Sequence, residues 1–320
     1  HVYRGHAVTT GKEAFPVSRT KEATIRQRRK RAGFLFALPS FVVLVLFMLV
    51  PILYGLGISF TNYNLSMPAH MRRYVGLANY AKVLKDQAFQ NSIGWTFAFA
   101  GIAVVGTVFL AMTLALALNS PCMQGLHGRL IKTGFILPMM LCPLVVSNVW
   151  YIIFAPNYGL INSLLHQCGM PTVGFLGNTF WAKFSIIIVE LWWGTPYVMI
   201  ILLAALTTVP SELYEAADIE GANQPQKFFR ITLPCISQFL VLVISIRVMD
   251  ALRMFDVSYA LTEGGPQRTT ETISVYIYRS AFSSFKAGEG AAAAFILFFL
   301  VAAATFLFML LSKHATQANA

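Results

Sequence analysis

Six uninterrupted apolar runs, at residues 34–60, 93–118, 131–154, 180–206, 236–255 and 290–311, constrain this chain more than any other feature. Each holds about twenty residues or more, and at 1.5 Å per residue such a helix crosses a hydrocarbon core of about 30 Å. Hydrocarbon offers a backbone no hydrogen bonds, so a crossing segment must be a helix or a strand of a closed barrel. The runs are continuously apolar rather than alternating, which excludes the barrel. Composition agrees: 57% of the 320 residues are hydrophobic and 12% are charged, against about 25% charged in a soluble domain. The expected fold is an all-α membrane protein with six transmembrane helices.

The net charge of +11 is concentrated before the first run, where Arg26, Arg28, Arg29, Lys30 and Arg31 follow four further basic residues. A basic cluster directly preceding a span retains that end in the cytoplasm. Six crossings then return the C-terminus to the same side. This reading divides the chain into a basic cytoplasmic tail (1–33), a transmembrane domain (34–312) and a cytoplasmic C-terminal tail (313–320). It places 120–129 and 207–234 in the cytoplasm, and 61–92, 155–179 and 256–289 outside. Arg72, Arg73, Lys82 and Lys85 oppose the charge rule locally but are outnumbered. No basic groove interleaved with aromatics follows, so nucleic acid is not an expected partner; membrane lipid is. Cys122, Cys142, Cys168 and Cys235 lack metal-type spacing and read as structural thiols, with only Cys168 outside.

Residues 207–234 form a polar loop too long for a simple connector. Ser211 is placed to cap a helix whose first turn carries Glu212 and Glu215, both favourable at the positive end of the dipole. Ala216 and Ala217 are small enough to let a bulky partner approach, and Gly221 supplies a left-handed stop. A second short helix, 225–229, is expected to end before Leu233-Pro234. The product is a helix-turn-helix elbow between the fourth and fifth spans. The 61–92 segment contains a further helical piece, 77–88, with turn signals at Met67-Pro68 and Gly76.

Glu215-Ala216-Ala217, Gly221, Ile231 and Leu233-Pro234 stand at the spacing of the coupling loop of type I ABC importer permeases, and the chain resembles that family. Three further marks resemble its carbohydrate-uptake subfamily, which includes the larger maltose-transporter permease. They are Val75 to Tyr80, Glu190 to Tyr197, and Met249 to Asp256 continuing through Leu261-Thr262-Glu263-Gly264-Gly265-Pro266 to Phe282. Glu263 departs from the small residue usual there. The resemblance implies a bacterial inner-membrane subunit working with a second homologous permease, two ATPase subunits and an external substrate-binding protein. It implies that Glu215, Ala216, Ala217 and Gly221 couple to the ATPase, that alternating access moves a sugar, and that ATP and Mg belong to the partner. The phosphate-cradling pattern Gly-x4-Gly-Lys-Ser/Thr is absent, as is any catalytic constellation, so the chain is expected to be a transport subunit with no cofactor and not an enzyme.

Charges inside spans are costly and face a cavity or a partner. Arg247, Asp250 and Arg253 are spaced three apart in the fifth run, which puts Asp250 between two guanidinium groups, and Glu190 lies at mid-depth in the fourth run within reach of Arg247. Two readings stand: a cavity that contacts sugar hydroxyls, or an ion-pair network that keeps two spans in register. Trp193 and Tyr197, flanking Pro196, are pathway candidates; Trp150 and Tyr151 suit the interfacial belt. The loop at Gly264-Gly265-Pro266 either meets a solute-delivering protein or caps the bundle. The alternatives in function are an ABC importer for glycerol phosphate, a peptide or a polyamine, and an ion-coupled secondary transporter. The latter predicts inverted repeats and broken helices, which the sequence pattern does not display.

Overall fold

The computed structural model describes residues 36, 38–120, 123 and 125–318; the basic stretch 1–33 and Cys122 lie outside the described residues. Among the described residues every regular element is helical apart from one antiparallel bridge, Thr61 with Tyr74. The chain divides into two units, residues 1–55 and 56–320. Of the first, the described part belongs to α1 (Leu38–Ser59), whose most apolar window buries no residue within the chain.

Three more helices are long and apolar enough to cross a membrane: α3 (Gln87–Asn119), α7 (Thr179–Leu206) and the last helix, whose apolar part is Ala287–Leu310. α3 follows the short α2 (Ala78–Lys85) and starts where the Asp86 carboxylate accepts from the Ala88 N–H at 2.9 Å. α7 starts where Asn178 accepts from the Phe180 N–H at 2.9 Å. These two helices make the closest-knit pair in the bundle. α3 turns Ala103, Ala111 and Ala115 inward, each fully buried, and leaves Val105 and Phe109 about 70% exposed. Both faces are apolar, which suits a helix between protein and lipid, and the small inward residues let backbones approach.

One expected span is broken, and another follows a sharp bend. The third run is split into α4 (Leu126–Met140) and α5 (Pro143–Ile153), which meet at 99°. Pro143 lacks an N–H and drives Cys142 out of helical geometry, to φ −61° and ψ 137°. A short α6 (Leu160–Gln167) precedes α7. The fifth run is not split, but it opens on a bend: α9 (Gln224–Cys235), the last part of the expected loop, and α10 (Ser237–Leu252) meet at 72° around Ile236. The third run thus holds a broken helix of which the apolar pattern gives no sign. Among the described residues, four helices are long and apolar enough to span, or up to six if each bent pair is one span.

The elbow differs from its expected form in detail. Its first helix, α8 (Ser211–Ile219), has Pro210 at the capping position, and Ser211 is the first helical residue with no capping bond. Proline takes that place because its ring already fixes φ near −60°. Gly221 adopts φ +74°, as its left-handed role demands, and the Ala222 N–H returns to the Ala217 carbonyl at 2.9 Å. The second helix does not stop at 229. A wide turn at Phe228–Thr232 carries it through Pro234 to Cys235.

After α10 come α11 (Asp256–Thr262), α12 (Ile273–Tyr278) and α13 (Ala287–Ala318), the last running past its expected end. The segment between α11 and α13 is tied to the 61–92 segment. Tyr276 donates to Asp86 at 2.7 Å, and at the start of α13 the Gly288 N–H donates to the Tyr63 carbonyl at 2.9 Å. Asn79 braces the receiving segment, donating to the Ser59 and Thr61 carbonyls at 2.7 Å. A Cβ at Gly288 would lie 2.2 Å from the Thr61 oxygen, so only glycine fits this approach. Glu271 is buried and held by Arg268 and Arg279. That carboxylate keeps the Arg268 guanidinium charged beyond its ordinary range, while burial and then the Asp86 bond push the Tyr276 phenol upward.

Candidate functional site

A cavity of about 390 Å³ lies where α5, α7, α10 and α11 converge, lined by Pro143, Glu190, Trp193, Arg247, Asp250, Arg253, Met254, Phe255, Asp256 and Val257. Five of the six expected pathway residues are therefore together: Glu190, Trp193, Arg247, Asp250 and Arg253. Tyr197 is not among the lining residues; it lies one turn beyond Trp193 on α7 and is 36% exposed.

The four charges separate into two pairs of different character. Arg247 donates to Glu190 at 2.5 Å across α10 and α7, with side chains only 3% and 5% exposed. Arg253 meets Asp250 at 3.2 Å within α10's end, both about half exposed. Asp250 therefore does not sit between two guanidinium groups. Arg247 turns away from it because α7 presents Gly194 there: a Cβ on that residue would lie 2.8 Å from Arg247 Nη2. Glycine opens the slot that the guanidinium fills. Arg247 Nε is buried without a hydrogen-bond partner among the described residues, so the ion pair leaves one donor unmet.

The break between α4 and α5 contributes to the cavity wall. It frees the Leu141 carbonyl, and Trp193 donates its indole N–H to that oxygen at 3.1 Å. The indole is thereby fixed with its ring at the cavity. Trp192, the next residue, points elsewhere, packing edge-on to Trp150 at 5.7 Å between centroids. Sequence reasoning passed over Gly194, although it stands one turn from Glu190 on the same helix face. It also passed over Asp256 and Pro143, which reach the cavity through bends that no local pattern announces.

A larger groove of about 790 Å³ between α3, α4 and α7 is lined by apolar side chains such as Leu110, Phe135 and Trp192. Its two hydroxyls, Thr113 and Thr195, are committed to their own helices, bonding Phe109 and Leu191 carbonyls. Nothing there would orient a polar ligand, and the smaller, charged cavity is the better candidate.

On the elbow, Glu215 and Ala216 are exposed, but Ala217 is only 8% exposed and packs against its own chain. The expectation that both alanines offer a face to a partner is corrected for Ala217. Its buried place follows from the turn at Gly221, which folds the second arm back over it. Ile219, 89% exposed at the tip, is an apolar side chain without cover in this chain.

Apolar helices of membrane-crossing length around a polar cavity are the makings of a membrane permease. Residues 123–317 match the family model described as the binding-protein-dependent transport system inner membrane component, and the chain belongs to that family. It is a multi-pass inner-membrane permease of the ABC transporter kind. The chain is 33% identical to the trehalose/maltose transport system permease protein MalF of Thermococcus litoralis over 89% of this chain and 95% of that one. It is 30% identical to the trehalose transport system permease protein SugA of Mycobacterium tuberculosis, covering 89% of each. A chain of a bacterial alginate ABC transporter, solved in complex with an alginate pentasaccharide-bound periplasmic protein, shares the fold. Its TM-score is 0.78 at 23% identity, over 90% of this chain and 96% of that one.

Proposed function

We propose that this chain forms half of the translocation pathway of an ATP-driven importer for neutral sugars. In this reading the bent pair α4–α5 is one span and α10 another, giving six, with both termini and the elbow, α9 included, in the cytoplasm. A second, homologous permease supplies the other half of the pathway. Two ATPase subunits carry ATP and Mg, and an external binding protein delivers the substrate. Closure of the ATPases moves the elbow through Glu215, Ala216 and the turn at Gly221. Ile219, rimmed by Glu215 and Glu220, anchors it in an apolar pocket of the partner with a basic edge.

One observation carries the exclusion of an anionic substrate: the cavity holds no spare positive charge among the described residues. Three carboxylates (Glu190, Asp250, Asp256) face two guanidinium groups (Arg247, Arg253), and both guanidiniums are already paired. An anionic ligand such as glycerol phosphate needs a free cation, and none faces this space among the described residues. A neutral sugar needs an aromatic face for its C–H groups and half-exposed polar groups for its hydroxyls, which Trp193, Asp250 and Arg253 supply. Glu190 and Arg247 hold α7 and α10 in register beneath them. Relatives named for trehalose and maltose transport support the same class.

Reconstitution tests the reading. The chain is purified with its partner permease and ATPase, placed in proteoliposomes, and supplied with its binding protein. Uptake of labelled trehalose or maltose should require internal ATP and resist competition by an acidic oligosaccharide. Uptake driven by an ion gradient without the ATPase would overturn it.

A further inference from the structure

We infer that Lys227 is a positioning residue of the elbow: its ion pair with Asp218 sets the angle between the two arms, so that force applied to the first arm reaches α10. The inference rests on the coupling reading above.

The arms α8 and α9 are joined by a short turn whose ends are shaped by Gly221 at φ +74° and by a capping box between Asn223 and Gln226. Such a turn fixes where the arms begin but leaves their mutual angle to side chains. Two contacts supply it. Tyr214 Oη and Thr232 Oγ1 lie 2.8 Å apart, and Lys227 Nζ donates to the Asp218 carboxylate. Lys227 is 7% exposed, whereas the Asp218 side chain is 65% exposed. A lysine is almost never buried unless paired, so Lys227 rests comfortably only when Asp218 is brought to it. The cost of burying the ammonium makes this contact sensitive to the angle in a way that a surface ion pair is not.

The faces are arranged to match. Tyr214 and Asp218 are one turn apart on α8 and both reach α9, while Glu215 and Ile219, one residue along, occupy the next face, which is exposed. At the other end, α9 meets α10 at Ile236, and α10 carries Arg247 and Asp250. The side that a partner grips and the side that is clasped are therefore separate. A motion given to the first reaches the cavity helix through the second.

The test uses the complete transporter in proteoliposomes, with uptake and ATP hydrolysis measured together. Spin labels at exposed Glu212 and Phe229 report the spread of arm distances. Lys227→Met keeps the packed stem and removes the pair; Lys227→Arg retains it. Lys227→Met should lower sugar taken up per ATP hydrolysed by about five-fold or more and broaden the label distances, with basal hydrolysis retained. Lys227→Arg should restore both. Equal uptake per ATP in Lys227→Met and the native protein overturns the proposal, whatever the labels report. Absence of ATP-driven uptake by the native complex counts against the coupling reading instead. The labels then decide the clasp alone, and a native distribution as broad as that of Lys227→Met overturns it.

Discussion

Arg247 carries more of the account than any other side chain, because it is charged, 2% exposed and set within an apolar helix. Among the described residues Glu190 alone neutralises it, so Glu190→Gln should destabilise the protein by about 3–5 kcal/mol, the cost of an orphaned buried charge. Replacing both partners by methionine should cost less than that single change. Thermal unfolding in detergent measures both. Gly194→Ala should reproduce part of the loss, since its Cβ would sit where the guanidinium lies. Asp250 is different: its pair is half exposed, worth about 0–1 kcal/mol. Asp250→Asn should leave unfolding nearly unchanged while raising the KM for sugar uptake. The Arg247–Glu190 pair was legible from the sequence, since counting residues along two apolar runs puts both at similar depth. The partner of Asp250 was not, because a carboxylate with arginines three residues to either side reaches both equally well until α7 draws one away.

At the scale of elements, the two bends decide where side chains go. Without the break at Cys142 the Leu141 carbonyl would be tied into its own helix and Trp193 would have no acceptor there. Trp193→Phe should keep the ring in place but leave that carbonyl unpaired, lowering stability by about 1–3 kcal/mol, again read by thermal unfolding. The segment beyond α11 is held by Tyr276 on Asp86. Burial and that bond raise the phenol above its ordinary value, so in folded and unfolded chains alike it stays protonated below about pH 10 and the contact is fully present. Above that, the unfolded chain ionises first and the stabilisation is lost as pH climbs toward the folded value. The advantage of native protein over Tyr276→Phe in unfolding temperature should therefore hold up to about pH 10 and shrink above it. Elements of length and apolarity were readable in advance, as were the elbow and its glycine stop. The break near Leu233-Pro234 was expected, two residues early, but the bend inside the third run was not, although Pro143 stood in plain view. An apolar window reads the same whether the helix through it is straight or broken, and proline is tolerated inside membrane helices often enough to hide the difference.

For the whole molecule, the family and the helical membrane architecture make the chain a transporter permease subunit, and the proposed function assigns its energy source to a partner. Among the described residues, the exposed, acidic, apolar-tipped elbow offers itself to such a source. Everything proposed here about coupling depends on that surface being gripped by a separate nucleotide-hydrolysing chain. A photo-reactive residue placed at Ala216, which is exposed, tests this most directly in membranes that hold the assembled transporter. Irradiation should join this chain to the ATPase, with a yield that changes between nucleotide-free and ATP-bound states. Labelling that never captures the ATPase, with transport intact in the same membranes, would contradict the account.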